Sequence, residues 1–159
     1  MDQLKTTPTL VSPRLAKFFD DYSSYHKTQG NKISHFIGIP FIVASLLGLL
    51  SNLSLSPPGW DFSPYLRLDG GTTLIALALI FYLYLDWKIT VPFSLFVGGL
   101  YFLGRAIPTP INWGLFVIGW ILQGIGHAVF EKNSPAFFKN FTHLLIGPLW
   151  IFSKLVGYA

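Results

Sequence analysis

The chain has 159 residues, enough for one domain and too few for two. Hydrophobic residues make up 52% and charged residues 11%, against roughly 25% charged in an ordinary soluble domain, so the surface is not mainly water-facing. Cysteine is absent, which removes disulfides, thiolate metal sites and cysteine nucleophiles, and the net charge of +4 includes no basic patch with interleaved aromatics of the kind that binds nucleic acid.

Residues 1–11 read as a loose tail without the apolar core of a signal peptide. Ser12-Pro13 then gives an N-cap followed by proline at the first helical position. Behind it Leu15, Phe18, Phe19, Tyr22 and His26 fall on one helical stripe, with Arg14, Lys17, Asp20, Asp21 and Lys27 elsewhere. The pattern predicts an amphipathic helix over 13–28 lying at a membrane interface, ended by Gly30-Asn31.

Five apolar blocks follow, over 33–51, 72–85, 89–104, 111–130 and 141–156. The first is about 28 Å long as a helix, close to the hydrocarbon thickness of a bilayer. A Ser-, Pro- and Gly-rich loop at 52–71 separates the first two blocks, Asp86-Trp87-Lys88 the next pair, a proline-marked turn at 105–110 the next, and a polar turn at 131–140 the last. The third block is short and carries Pro92 and Gly98-Gly99, so it reads either as a span or as a re-entrant pair. The expected fold is an all-α, multi-pass transmembrane helix bundle of four to five membrane helices over 33–156, preceded by the interfacial helix, in one domain.

Blocks joined by short turns cross in alternate directions. The face holding the N-terminus then carries Lys5, Arg14, Lys17, Lys27, Lys32, Lys88, Lys132 and Lys139, and the other face Arg67, Arg105 and Lys154. The positive-inside rule makes the first face cytoplasmic.

The four histidines, His26, His35, His127 and His143, all fall at this cytoplasmic depth. Three lie inside apolar blocks, where ionisable groups are costly and face a partner or a cavity. Helices converging on one depth build metal sites, and imidazole suits iron, zinc and copper. Glu131 follows His127 by four residues and shares its helix face, as a ligand or as an outer acceptor fixing an imidazole; Asp86 and Gln123 are further outer candidates. Each has a plainer reading: His26 as an interfacial aromatic, His35 and His143 as interhelical hydrogen-bonding groups, His127 as a helix C-terminal cation beside Glu131, and Glu131 as a surface charge. Tyr22 and Tyr25 read as belt aromatics. Gly114, Gly119 and Gly124 read as close helix packing.

Three motifs in order, Tyr25-His26 with Asn31, His35, Gly38 and Pro40, then Gly126-His127 with Glu131 and Pro135-Ala136, then His143-Leu144 with Gly147-Pro148 and Trp150, resemble a family of small membrane 2-hydroxy fatty acid dioxygenases. That family includes a yeast α-oxidation enzyme of phytosphingosine breakdown and bacterial relatives, and the likeness runs from about residue 18 to 150. The resemblance implies an Fe(II)-dependent α-oxidation in which a 2-hydroxy fatty acid and O₂ yield a fatty acid one carbon shorter. The family's metal histidines carry over onto His26, His35, His127 and His143, and its catalytic glutamate onto Glu131. Lys27, Lys32 and Lys132 are candidates to attract the substrate carboxylate, each with the plainer reading of a near-face lysine. The implied location is a bacterial cytoplasmic membrane, or the endoplasmic reticulum of a eukaryote, with N-terminus and site cytoplasmic. Homo-oligomerisation stays open.

Three rivals stand beside this reading. A two-metal lipid hydroxylase or desaturase needs more histidines in close pairs. A haem-binding carrier would use two histidines as axial ligands. The third is a non-enzymatic membrane protein such as a chaperone or small transporter; a transporter would place polar groups near the bilayer midplane, where this chain has Ala44, Leu79 and Ile118.

Overall fold

A computed structural model describes residues 10–57, 67–133 and 140–159. Most of the tail, the middle of the 52–71 loop and the greater part of the 131–140 turn, Pro135-Ala136 included, lie outside the described residues. The described chain is helical, with α1 Pro13–Ser24, α2 Gln29–Leu50, α3 Gly70–Leu85, α4 Trp87–Ala106, α5 Thr109–Ile125 continuing into a π-helical turn Gly126–Glu131, and α6 Thr142–Leu155. One isolated bridge, Ser54 to Asp69, closes the described base of the long loop.

Capping sets the starts. The Ser12 hydroxyl accepts from Leu15 N at 3.2 Å and Pro13 fixes the first turn of α1. Asp69 and Thr72 form a reciprocal capping box on α3. Asp86 caps α4 by accepting from Lys88 N, and it also accepts from Ser12 N at 2.7 Å and from the Tyr158 hydroxyl at 3.2 Å. Asp86 therefore ties both chain ends to the α3–α4 corner and lies outside the lining of the histidine chamber described below.

Two boundaries differ from the sequence reading. α1 ends at Ser24 rather than 28, and Gly30-Asn31 sits in the first turn of α2 instead of ending α1. The cause is Thr28, whose side chain accepts from Asn31 N and caps α2. The stripe of α1 also turns inward: Leu15, Phe19 and Tyr22 are buried in the core, where α1 packs on α6.

α2 lies at the centre, packed on α5 and in contact with α3, α4, α6 and the π turn. Small residues permit this closeness. A Cβ on Gly104 would collide with the Ala44 carbonyl oxygen and sit 2.9 Å from Gly48 N, so α2 and α4 touch backbone to backbone. Gly119 packs the same way on Ile42 and Gly38, whereas Gly114 and Gly124 face open space. At that crossing Asn112 of α5 donates to Gly104 O at 2.8 Å and Ile107 O at 3.1 Å, satisfying carbonyls that α4 leaves open at its C-terminus.

α4 runs unbroken through Pro92 and Gly98-Gly99, so the third block is one helix and not a re-entrant pair. Among the described residues three helices are long and apolar enough to cross a membrane, over 29–50, 87–106 and 109–131; α3 is apolar but shorter. The outer faces of the helices present Leu77, Ile80, Leu95, Val117 and Ile121.

Candidate metal centre

His26 sits in the short link between α1 and α2, His35 one turn and a half into α2, and His127 in the π turn after α5. All three are buried, and one potential ligand atom from each lies within 4.8 Å of the others. Their ring centroids are 4.5 Å (26–35), 4.9 Å (26–127) and 4.9 Å (35–127) apart, with planes nearly perpendicular.

The tautomers of two rings follow from their partners. His26 Nδ1 lies 2.6 Å from Tyr22 O and His35 Nδ1 lies 2.9 Å from Asn31 O. A carbonyl only accepts, so each Nδ1 carries the hydrogen and each Nε2 of a neutral ring presents a lone pair. Those two Nε2 atoms face each other at 3.1 Å. His127 Nδ1 is buried without a hydrogen-bond partner. Converging lone pairs with no proton between them repel; a cation held among them turns the repulsion into coordination. The donor set fits a borderline metal such as Fe(II) or Zn(II), and the carbonyl-held Nδ1–H groups are the outer bonds expected of ligating imidazoles. Burial pushes the protonation of His26 down to about 4, so this ring is neutral near pH 7.

Glycine makes the approach possible. A Cβ on Gly126 would collide with the Ser34 hydroxyl and stand 2.7 Å from Asn31 Oδ1 and 3.2 Å from His35 Cε1. Only a bare backbone lets the π turn bring His127 against α2.

Glu131 reaches a different target. Its Oε1 accepts from Thr28 N at 2.7 Å and from the Thr28 hydroxyl at 3.0 Å, so the carboxylate locks the N-terminus of α2 onto the end of the π turn, beside the three imidazoles. The role suits the positive end of a helix.

His143, at the start of α6, stands next to the cluster rather than within it. Its Nε2 lies 2.7 Å from Asp21 Oδ2, its ring meets Tyr22 and Tyr25, and its Nδ1 is buried and unpartnered. Lys27 and Lys132 are exposed and Lys32 half-buried, and none of the three lines the chamber beneath the histidines. Gln123 does line it, with its Nε2 buried and unpartnered.

That chamber has a volume of about 410 Å³. His26, His35, His127, His143 and Tyr22 form its polar end, and Ile39, Val43, Leu46, Leu74, Ala78, Phe116 and Trp120 are among the residues that continue it between α2, α3 and α5. From His35 to Leu47 the lining follows α2 for roughly 18 Å at the helical rise.

Several of these residues escaped the sequence reading. Tyr22, read as a belt aromatic, is buried and stacks on His26 with centroids 4.0 Å apart, and Trp150 lies behind both. The four-residue spacing of Tyr22 and His26 was the available signal. Thr28 and Asp21 gave none, because their partners are more than 100 residues away.

The model of the family described as 2-hydroxy-palmitic acid dioxygenase Mpo1-like matches residues 12–159. The chain belongs to the Mpo1-like family. It is 30% identical over 135 residues to the 2-hydroxy-palmitic acid dioxygenase MPO1 of Saccharomyces cerevisiae, covering 82% of this chain and 72% of that protein. No solved structure matches. All four histidines and Glu131 lie inside the span matched to the Mpo1-like family.

Proposed function

We propose that this protein is an Fe(II)-dependent membrane dioxygenase that converts 2-hydroxy fatty acids, with O₂, into fatty acids one carbon shorter. The observation that carries the reading is the pair of inward-facing imidazole lone pairs, joined by His127, at the polar end of an apolar chamber. Membership of the Mpo1-like family and the dioxygenase activity for which the yeast relative is named support the reaction class.

In this reading His26, His35 and His127 hold the iron. Bound there with open positions, Fe(II) would supply O₂ activation and a Lewis-acid contact for the substrate's polar head. The protein's own groups do the rest. Tyr22 O and Asn31 O fix the two imidazoles with Nε2 inward. Tyr22 and Trp150 wall the site on the α1–α6 side. The chamber takes the acyl tail, each buried methylene contributing about 0.8 kcal/mol, and thereby places the carboxyl end at the histidines and excludes water from them. Glu131 stabilises the entry of α2 on which His35 rides.

The bundle sits in a membrane with the site at the cytoplasmic face, supported by three helices of spanning length and by the Lys/Arg distribution. The lysines near that face, Lys27, Lys32 and Lys132, attract the fatty acid anion from the interface without entering the chamber.

The test is to purify the protein anaerobically, load Fe(II), and supply 2-hydroxypalmitate with O₂. Formation of the one-carbon-shorter acid supports the reading; metal-loaded protein that yields none rejects it. Absence of a Soret band would separate it from the haem carrier.

A further inference from the structure

The chamber has a second polar fixture besides the three clustered imidazoles. His143 is buried at the start of α6, and its Nε2 lies 2.7 Å from Asp21 Oδ2 on α1. A carboxylate only accepts, so Nε2 carries the hydrogen and, in the neutral ring, Nδ1 is left with a lone pair. That Nδ1 is buried, without a partner, in a ring that lines the chamber. The ring is held between Tyr22 at 5.6 Å and Tyr25 at 5.5 Å, and it makes no ring contact with the three clustered imidazoles. An acceptor kept dry and unsatisfied is costly, and its complement is an O–H group brought in by a ligand.

We infer that His143, oriented by Asp21, reads the 2-hydroxyl of the substrate by accepting its hydrogen bond, and so separates 2-hydroxy fatty acids from ordinary ones. The inference rests on the proposed function and assigns His143 to the substrate instead of to the metal. A carboxylate alone, deprotonated, offers this nitrogen no hydrogen. A fatty acid without the hydroxyl therefore leaves Nδ1 unpaired, and sites that bind a substrate hydroxyl reject analogues lacking it strongly. Asp21 is a positioning residue: half-exposed on α1, it selects the tautomer and touches no substrate.

The experiment measures binding without turnover. Iron-loaded, anaerobic protein is titrated with 2-hydroxypalmitate and with palmitate, and iron content is assayed on the same samples, for wild type, His143→Phe and Asp21→Ala. Wild type should prefer the 2-hydroxy acid by roughly 100-fold or more. His143→Phe should keep its iron and lose most of that preference. Asp21→Ala, a change at a half-exposed position, should also keep iron and reduce the preference at least severalfold; it carries the test if His143→Phe does not fold. Loss of iron from folded His143→Phe would make His143 a ligand and overturn the inference. So would full preference retained in both variants, since the hydroxyl would then be read elsewhere. Wild type that binds neither acid and forms no product would instead reject the proposed function, and the inference with it.

Discussion

His26 Nε2 and His35 Nε2 face each other at 3.1 Å, while the opposite nitrogen of each ring donates to a backbone carbonyl. Neither ring can relieve the contact by turning over its proton without abandoning a bond of 2.6 or 2.9 Å. A short helix end, a link of a few residues and the first turns of α2 thus hold two lone pairs against each other, which a cation satisfies.

Glu131→Ala should separate scaffold from ligand. The carboxylate accepts two hydrogen bonds from Thr28, so its loss should cost about 1–2 kcal/mol, the usual size of a lost helix cap. The melting temperature should fall in thermal denaturation while iron still binds. Iron content reduced to that of a histidine variant would show that Glu131 ligates.

Gly126→Ala tests the close approach. The new methyl meets the Ser34 hydroxyl and Asn31 Oδ1, and overpacking of this kind costs about 1–3 kcal/mol. The π turn should move off α2 and carry His127 with it, weakening iron affinity more than Ala substitutions at Gly114 or Gly124, which face open space. Equal iron affinity in all three variants would contradict the packing argument.

Filling the chamber should set the accepted chain length. Ala78 lines it from α3, and Ala78→Trp would occupy the path of the tail below the histidines. Turnover of long 2-hydroxy acids should fall at least tenfold while short ones are retained. A uniform loss across chain lengths, or no change, would show that the tail lies elsewhere.

Acid should destabilise the metal-free protein. Burial pushes His26 down to about 4 in the folded state, against an ordinary value near 6.5 when unfolded. Between these values the unfolded chain binds the extra proton, so stability is full above about pH 6.5 and is lost as pH falls toward 4. Thermal melts of the metal-free protein from pH 4 to 8 should show this decline, and His26→Phe should make it shallower. An undiminished slope in that variant would remove His26 as the source.

Much of the bundle was legible because its helices are long apolar runs set off by polar turns. The blocks at 72–85, 89–104, 111–130 and 141–156 match α3, α4, α5 with its π turn, and α6 to within about two residues. The entrance to α2 was not. Gly30-Asn31 has the chemistry of a helix stop, yet Thr28 caps a new helix there and is itself held by Glu131. Local signals cannot register a partner so distant in sequence. The same limit applied at the site. Four histidines at one depth were visible as a set, but depth does not fix direction. His26, His35 and His127 converge, whereas His143 turns to Asp21. The π turn also redirects Glu131 toward Thr28, a geometry that regular helical spacing from His127 does not convey.

The most direct test of the central claim is iron analysis of anaerobically isolated wild type and of His26→Ala, His35→Ala and His127→Ala, each checked for helical content. The account predicts stoichiometric iron in wild type and its loss, with loss of chain-shortening activity on 2-hydroxypalmitate, in all three folded variants. Folded variants that keep both iron and activity would contradict it.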